Sequence, residues 1–345
     1  MGTYSIIGGG IAGASIAYHL SKMKHNVTLY DRNDTGKATE ASAGIICPWV
    51  SQKRNKLWYR LVEEGARYYP DFIKELEQQT GISTGYKRNG AICLFKNEHV
   101  QELAFQRISS KKETAPEMGI VKKMSPSEVR NAHPNLTTDL PAIFVEGGGQ
   151  INGQNLLNAL KEGILLHGGK WINEDVSIKA CQGTVIYAAG AWGNEIAPQI
   201  PVRHQRAELL HFSLKNESNH TNTPVVMGLG PMYIVETSTH QYAIGTTHED
   251  TESFSTTPSK ENEAYLLEQA EQYFPNSTIQ MEYLSVGLRP FTRESLPFIG
   301  YIDSNVFSVN GLGSSGLTTG PIIGKDVAAF LTGKHPTIPI DKFNF

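Results

Sequence analysis

The sequence predicts an α/β chain, α+β taken as a whole, with one domain on a mostly parallel sheet and a second on an antiparallel sheet. Three observations carry this. An apolar run, Tyr4-Ser5-Ile6-Ile7, leads straight into a glycine-rich turn near the start of the chain. The same order of strand, glycine-rich loop and helix returns near the end, from Val306 to about Thr332. Strand-like segments at residues 209–214 and 232–236 lie between the two and suit an antiparallel arrangement. At 345 residues the chain is too long for one simple domain and comfortable for two.

The first strand opens into Gly8-Gly9-Gly10-Ile11-Ala12-Gly13, and a helical stretch, Ala14 to about Lys24, follows. Ile16 and Leu20 stand four apart and can face a sheet, although Ala14, Ala17, Tyr18 and Met23 make no clean stripe. Asn26-Val27-Thr28-Leu29-Tyr30 is a second strand with Asp31 at its end. In this G-x-G-x-x-G, Gly8 permits a tight turn and Gly10 lets backbone approach a pyrophosphate. Gly13 allows the helix to pack on the strand. The helix N-terminus then offers unpaired N–H groups and a positive dipole end to phosphate. Asp31 is placed to accept ribose hydroxyls, and its charge would repel a 2′-phosphate, against NADP. The pattern is Rossmann-like, and these residues alone suit either NAD or FAD.

Three later segments favour FAD. Ala38-Thr39-Glu40-Ala41-Ser42-Ala43-Gly44-Ile45-Ile46 offers small residues that let backbone lie against a ring or a phosphate; a surface loop is the alternative. Thr184-Val185-Ile186-Tyr187 opens into Ala188-Ala189-Gly190-Ala191-Trp192, which suits passage beside a dinucleotide or an ordinary tight turn. The third is strand 306–309, the loop Asn310 to Gly316 and a helix from Leu317 to about Thr332, with Ile323, Val327, Phe330 and Leu331 facing inward. A second helix N-terminus would stabilise negative charge near N1 and C2=O of a reduced isoalloxazine. An NAD-dependent dehydrogenase has no use for such a loop.

With these pieces assembled, the chain resembles the D-amino-acid oxidase family in its broad sense, glycine oxidase above all. The likeness rests on Ile7 to Gly13, Ala41-Ser42-Ala43-Gly44, Ala188 to Trp192, Gly287-Leu288-Arg289-Pro290 and the Gly311 to Gly316 loop, in family order over nearly the whole chain. It implies an FAD-binding domain of the glutathione-reductase-2/D-amino-acid oxidase type. That domain is discontinuous, formed by residues 1–50, 146–200 and 286–345. Residues 51–145 and 201–285 then form the substrate domain. The former holds a long helical stretch, Lys56 to Gln79, and a strand, Gly90 to Phe95; a polar loop is expected from Lys215 to Thr223.

The resemblance also implies a reaction, in which a hydride passes from a substrate α-carbon to flavin N5 and the resulting imine is hydrolysed to a keto acid. The substrate is a small amino acid or amine, glycine, sarcosine or a D-amino acid by type, and oxygen or a quinone accepts the electrons. Arg289 matches the arginine that binds the substrate carboxylate, with Arg293 as competitor; a guanidinium fork suits a carboxylate. Tyr233 matches a substrate-side tyrosine or is a core tyrosine, and His248 is a lid residue or a surface histidine. The implied flavin contacts are Gly8, Gly10, Gly13, Ile11, Ala12, Asp31, Arg32, Ala38, Thr39, Ser42, Ala43, Gly44 and Ile45. Val176 joins them, with Ile178 as the alternative register, together with Gly190. The last loop adds Leu312, Gly313, Ser314, Ser315, Gly316, Leu317 and Thr318. Two departures stand out. Ser314 replaces a glycine-oxidase arginine, and no cysteine lies near Arg289 to tether the flavin as monomeric sarcosine oxidase does. Non-covalent FAD and no metal follow.

The bulk composition fits. Lys+Arg 31 against Asp+Glu 34 gives a net charge of −3, which leaves no footprint for nucleic acid or an anionic membrane. No apolar run approaches the ~20 residues of a membrane span. The first strand begins almost at Met1 with no signal segment ahead of it, and Cys47, Cys93 and Cys181 form neither a CxxC pair nor an even set. A cytoplasmic chain with reduced thiols is expected. Sequons such as those at Asn135 and Asn219 would then be accidental. A homo-oligomer is compatible with all of this, and the rival readings are an NAD-dependent dehydrogenase and a flavin-binding protein without turnover.

Overall fold

The computed structural model describes residues 1–215 and 222–344. Most of the expected 215–223 loop, and the sequon at Asn219, lie outside the described residues.

A six-stranded sheet organises the chain termini. Strand Thr3–Ile7 is flanked in parallel by Asn26–Tyr30 and Thr184–Tyr187. Lys170–Ile172 and Val306–Asn310 continue the parallel order outward, and Phe298–Asp303 closes one edge in antiparallel sense. Parallel order has a consequence for the site. The strands ending at Ile7, Tyr187 and Asn310 all present their carboxyl ends, and so the loops beginning at Gly8, Ala188 and Gly311, at the same edge of the sheet.

Helix Ile11–Lys22 is buried at every residue from Ile11 to Ser21. It packs on helices Gly316–Leu331 and Gly153–Leu166 as well as against the strands, so the absence of an apolar stripe in its sequence reflects burial on several sides. The helix expected from Ala14 thus starts three residues earlier, inside the glycine motif. Ile323 and Val327 of helix Gly316–Leu331 are buried as expected, whereas Phe330 is 39% exposed and Leu331 only half-buried. That helix is buried all round from Leu317 to Ala329 apart from Lys325, and its last turn emerges, so one-sided periodicity misassigned its end.

The second sheet has nine strands and is antiparallel apart from one pair, Val225–Met227 with Ala91–Leu94. Its spine is the long pair Val202–Lys215 and Thr278–Thr292. Only residues 209–214 of the first were legible, because its earlier half is polar: Val202 and His204 are buried and Arg203 exposed, an alternation that hydrophobicity cannot reveal. Helix Lys56–Thr80 starts where the Asn55 side chain accepts from the N–H groups of Leu57 and Trp58, and ends at Gly81 in left-handed conformation. It packs on helices Gly316–Leu331 and Gly153–Leu166. Residues 51–145 therefore contribute to the helical layer as well as to the nine-stranded sheet.

Strand Thr278–Thr292 joins the two sheets. Leu288 N–H donates to Gly36 O at 2.8 Å, and Phe291 bridges to Leu312. Arg289 lies between those two attachments, so its backbone is fixed relative to the segment after Asp31 and to the second glycine-rich loop. Asn135, of the first sequon, is buried with its amide donating to Tyr242. All three cysteines are free thiols.

Candidate active site

A cleft of about 380 Å³ opens along the carboxyl edge of the parallel sheet and runs beneath the antiparallel one. That volume falls in the range of cofactor and ligand sites, roughly 300–1,000 Å³. One end is lined by Gly8, Gly10, Ile11, Ala12, Asp31, Arg32 and Val176; Ile178 does not reach it. Ala38, Thr39, Ser42, Ala43, Gly44 and Ile45 form one flank. Gly190, Leu312, Gly313, Ser314, Gly316 and Leu317 form another. Tyr233, His248 and Arg289 stand at the far end. Of the expected contacts, Gly13, Ser315 and Thr318 are not on its wall, and neither is Arg293.

Gly13 is absent for a physical reason. A Cβ there would stand 2.0 Å from Gly8 O, so this glycine serves the packing of helix on strand. Gly8 itself has φ +109°, and a Cβ would stand 2.3 Å from Ala188 O. Gly10 is different: a Cβ would meet only Thr39 Oγ1 at 3.6 Å, an ordinary contact. Nothing in the protein demands glycine at 10, so the demand comes from what approaches it in the cleft. Ser315 and Thr318 belong to the start of helix Gly316–Leu331, where Ser315 O accepts from the Thr319 hydroxyl. Neither Gly10 nor Ser315 caps its helix with its own side chain; Ile11 N–H donates to Thr39 Oγ1 at 3.1 Å and Gly316 N–H to Gly313 O, and both helix N-termini lie at the cleft with their positive dipole ends toward it. Such a cradle fits a dinucleotide with an extended, electron-rich ring.

The nucleotide end holds charges that spacing did not foretell. Asp31 is buried, and its Oδ2 accepts from Lys37 Nζ at 2.8 Å. Burial opposes the Lys37 charge, but the Asp31 and Glu40 carboxylates outweigh it and raise the ammonium pKa. Asp31 retains lone pairs for hydroxyl donors, since beyond Lys37 its carboxylate accepts from Asn33 N–H, at Oδ1 and 3.2 Å. Arg32 is tied to Asp34 at 2.6 Å and to Glu195 at 2.8 Å. Lys37 and Glu195 line the cleft and escaped sequence reasoning because neither belongs to a recognisable motif and their partners meet them only in the folded chain.

At the far end Arg289 is half-buried, which pushes its guanidinium pKa below the ordinary value. Its Nη1 donates to His248 Nε2 at 2.9 Å and its Nη2 to Gln205 Oε1. Among the described residues no carboxylate forms an ion pair with it within 4.0 Å. His248 is held below its usual range by burial and by the Arg289 charge, and it stays neutral to accept that bond. Burial pushes the Tyr233 hydroxyl up to about 12, against a hydrogen bond with the Thr246 side chain and the nearby Arg289 charge. Tyr233 and Arg289 come from strands far apart in sequence, and His248 follows the end of strand Gln241–Gly245. Gln205 was missed, for no local signal marks a glutamine that faces an arginine 84 residues away.

A family model described as FAD dependent oxidoreductase, DAO, matches residues 4–330. The chain belongs to that family. This FAD-dependent oxidoreductase is 34% identical over 369 aligned positions to the uncharacterized oxidoreductase YurR of Bacillus subtilis (strain 168), covering 100% of this chain and 98% of YurR. Its fold superimposes on iminodiacetate oxidase (IdaA) from Chelativorans sp. BNC1 with a TM-score of 0.92 at 30% identity, covering 99% and 98% of the two chains. Glycine oxidase from Geobacillus kaustophilus shares the fold with a TM-score of 0.86 at 22% identity, again covering 99% and 98%. FAD takes the place that the NAD alternative gave to a nicotinamide dinucleotide. No helix among the described residues is long and apolar enough to cross a membrane.

Proposed function

We propose that this oxidoreductase oxidises the α-amine of a small amino acid, primary or N-substituted, whose carboxylate is held by Arg289. One observation carries this reading. The Arg289 guanidinium lies on the cleft wall, half-buried and braced by two neutral acceptors, with its charge left for an anion. A planar fork of N–H donors matches a carboxylate in two-point geometry. FAD, when bound, would supply the two-electron oxidation of the substrate's carbon–nitrogen bond. This chain's residues bind and orient: Arg289 fixes the carboxylate, and Tyr233, neutral throughout the working pH range, closes the same end. Gly8, Gly10 and the segments 38–45 and 312–317 would hold the dinucleotide and its ring. None of the three cysteines lines the cleft, which supports non-covalent FAD.

The names of IdaA and of the glycine oxidases support a substrate with a glycine-like carboxymethylamine. Ser314, as the resemblance implies, stands where glycine oxidase has an arginine; among the described residues Arg289 is then the one arginine lining the substrate end, and N-substituted glycines are favoured over glycine itself. A cytoplasmic enzyme that passes electrons to oxygen or a quinone completes the proposal. Residues 1–50, 146–200 and 286–345 form its flavin domain.

The test is anaerobic mixing of the purified yellow protein with glycine, sarcosine, iminodiacetate, proline and D-amino acids, followed in the visible spectrum. Bleaching by a carboxymethylamine is expected. A flavin that none of them reduces would remove the amine-oxidising reading and favour a binding protein without turnover.

A further inference from the structure

The residues behind Arg289 form one row across three strands. Gln205 pairs with Arg289 on one side and with Asp250, of the short strand Glu249–Asp250, on the other. Directly paired residues of an antiparallel sheet project to the same face, so the three side chains can meet in a line. They do. Gln205 Nε2 donates to Asp250 Oδ1 at 2.5 Å, and Gln205 Oε1 accepts from Arg289 Nη2. A carboxamide has a donor end and an acceptor end, and only one orientation serves both neighbours. Asp250, which can only accept, draws the NH2 group to itself and thereby turns the oxygen toward the guanidinium. Without it, the guanidinium alone is left to orient the amide, and the NH2 group loses its acceptor in the row.

We propose that Gln205, oriented by Asp250, is the positioning residue that aims the Arg289 fork into the cleft. This rests on the reading of Arg289 as the carboxylate ligand. Neutrality is the essential property of Gln205. It fixes one edge of the guanidinium without cancelling its charge, whereas a carboxylate there would form an internal ion pair and compete with the substrate. His248 braces Nη1 in the same way, as a neutral acceptor. Asp250 keeps its charge one residue further off, where it is felt by Arg289 without touching it.

The experiment measures acetate binding to the FAD-loaded protein by calorimetry, for the wild type and for Gln205→Leu, Gln205→Met, Asp250→Asn and Arg289→Met. A lost hydrogen bond to a charged group predicts that Gln205→Leu and Gln205→Met each raise the acetate Kd about tenfold, or about 1.4 kcal/mol. Asp250→Asn should raise it about threefold, and Gln205→Leu/Asp250→Asn should match Gln205→Leu alone, because Asp250 acts through the amide. FAD content and melting temperature should stay near wild type in Asp250→Asn, which alters an exposed side chain. Gln205 variants that bind acetate as the wild type does would overturn the positioning role, and so would additive effects of the two substitutions. If Arg289→Met binds acetate undiminished, the carboxylate role of Arg289 itself falls, and positioning falls with it. Loss of acetate binding in Arg289→Met beside unaffected Gln205 variants would sink the positioning role alone.

Discussion

On the proposed reading, the two ends of the cleft recognise by opposite means. At the nucleotide end two helix N-termini and small side chains stand beside the Asp31–Lys37 and Arg32–Glu195 pairs, and what matters is the absence of Cβ atoms at Gly8 and Gly10. At the substrate end the wall is Arg289, Tyr233 and His248, and what matters is charge placed against neutral partners. The first device is local: strand, turn and helix are consecutive, so one short motif specifies it. The second is assembled by sheet register from strands far apart. Local devices are intolerant of a single added methyl group, whereas an assembled one loses function by degrees.

That contrast can be broken at either end. The largest effect is expected for Gly8→Val, which combines a φ of +109° with a Cβ 2.3 Å from Ala188 O. FAD affinity should fall by more than about a hundredfold, read from flavin absorbance per protein after reconstitution. A variant that keeps its flavin would show that the nucleotide end is more compliant than its geometry indicates.

Acid stability comes next, because each sheet's core buries a neutral histidine. Burial drives His133, set among Tyr242 and Phe274 in the antiparallel layer, down from 6.5 to about 4. The sign follows from proton binding. Between pH 6.5 and 4 the unfolded chain takes up a proton at this residue and the folded chain does not. Stability from His133 is therefore complete above 6.5 and declines as the pH falls, by about 1.4 kcal/mol per unit, to a loss of about 3 kcal/mol. Denaturant melts of His133→Phe across that range should lack this slope. His19, in the layer of the parallel sheet, is lowered by burial and by Lys22 and Lys325 to about 3, so its window extends further.

Arg289→Lys should raise KM for a carboxylate substrate by about tenfold or more in steady-state assays, since a point charge replaces a fork. An unchanged KM would remove Arg289 from the binding role. Smallest is Tyr233→Phe, which deletes one neutral hydrogen bond to Thr246 and should change kcat/KM by about threefold. Because burial holds the Tyr233 hydroxyl near 12, neither protein should show a tyrosine ionisation in its pH profile below 9.

Where the sequence misled, burial was the reason. Phe330 had the right spacing for an inner face, yet the helix is surrounded along most of its length and only its end emerges. The long strand Val202–Lys215 was half hidden because its first residues are polar on both faces. Gly13, by contrast, packs helix on strand as its place in the motif predicts, its close contact being with Gly8. Val176 could be distinguished from Ile178 only once the edge of the sheet was in place.

By itself the sequence determined the strand–glycine–helix unit from Tyr4 to about Lys24, Asp31 at the end of the next strand and the second glycine loop at 311–316, and through the resemblance it named Arg289 as a candidate. These are short-range facts, in which residue type dictates local backbone or names a chemical group. Only the tertiary structure decided that Lys37 pairs with Asp31, that Glu195 holds Arg32, and that Gln205 and His248 brace Arg289. Those pairings depend on which strands lie side by side and in what register, and the packing of the whole chain fixes that.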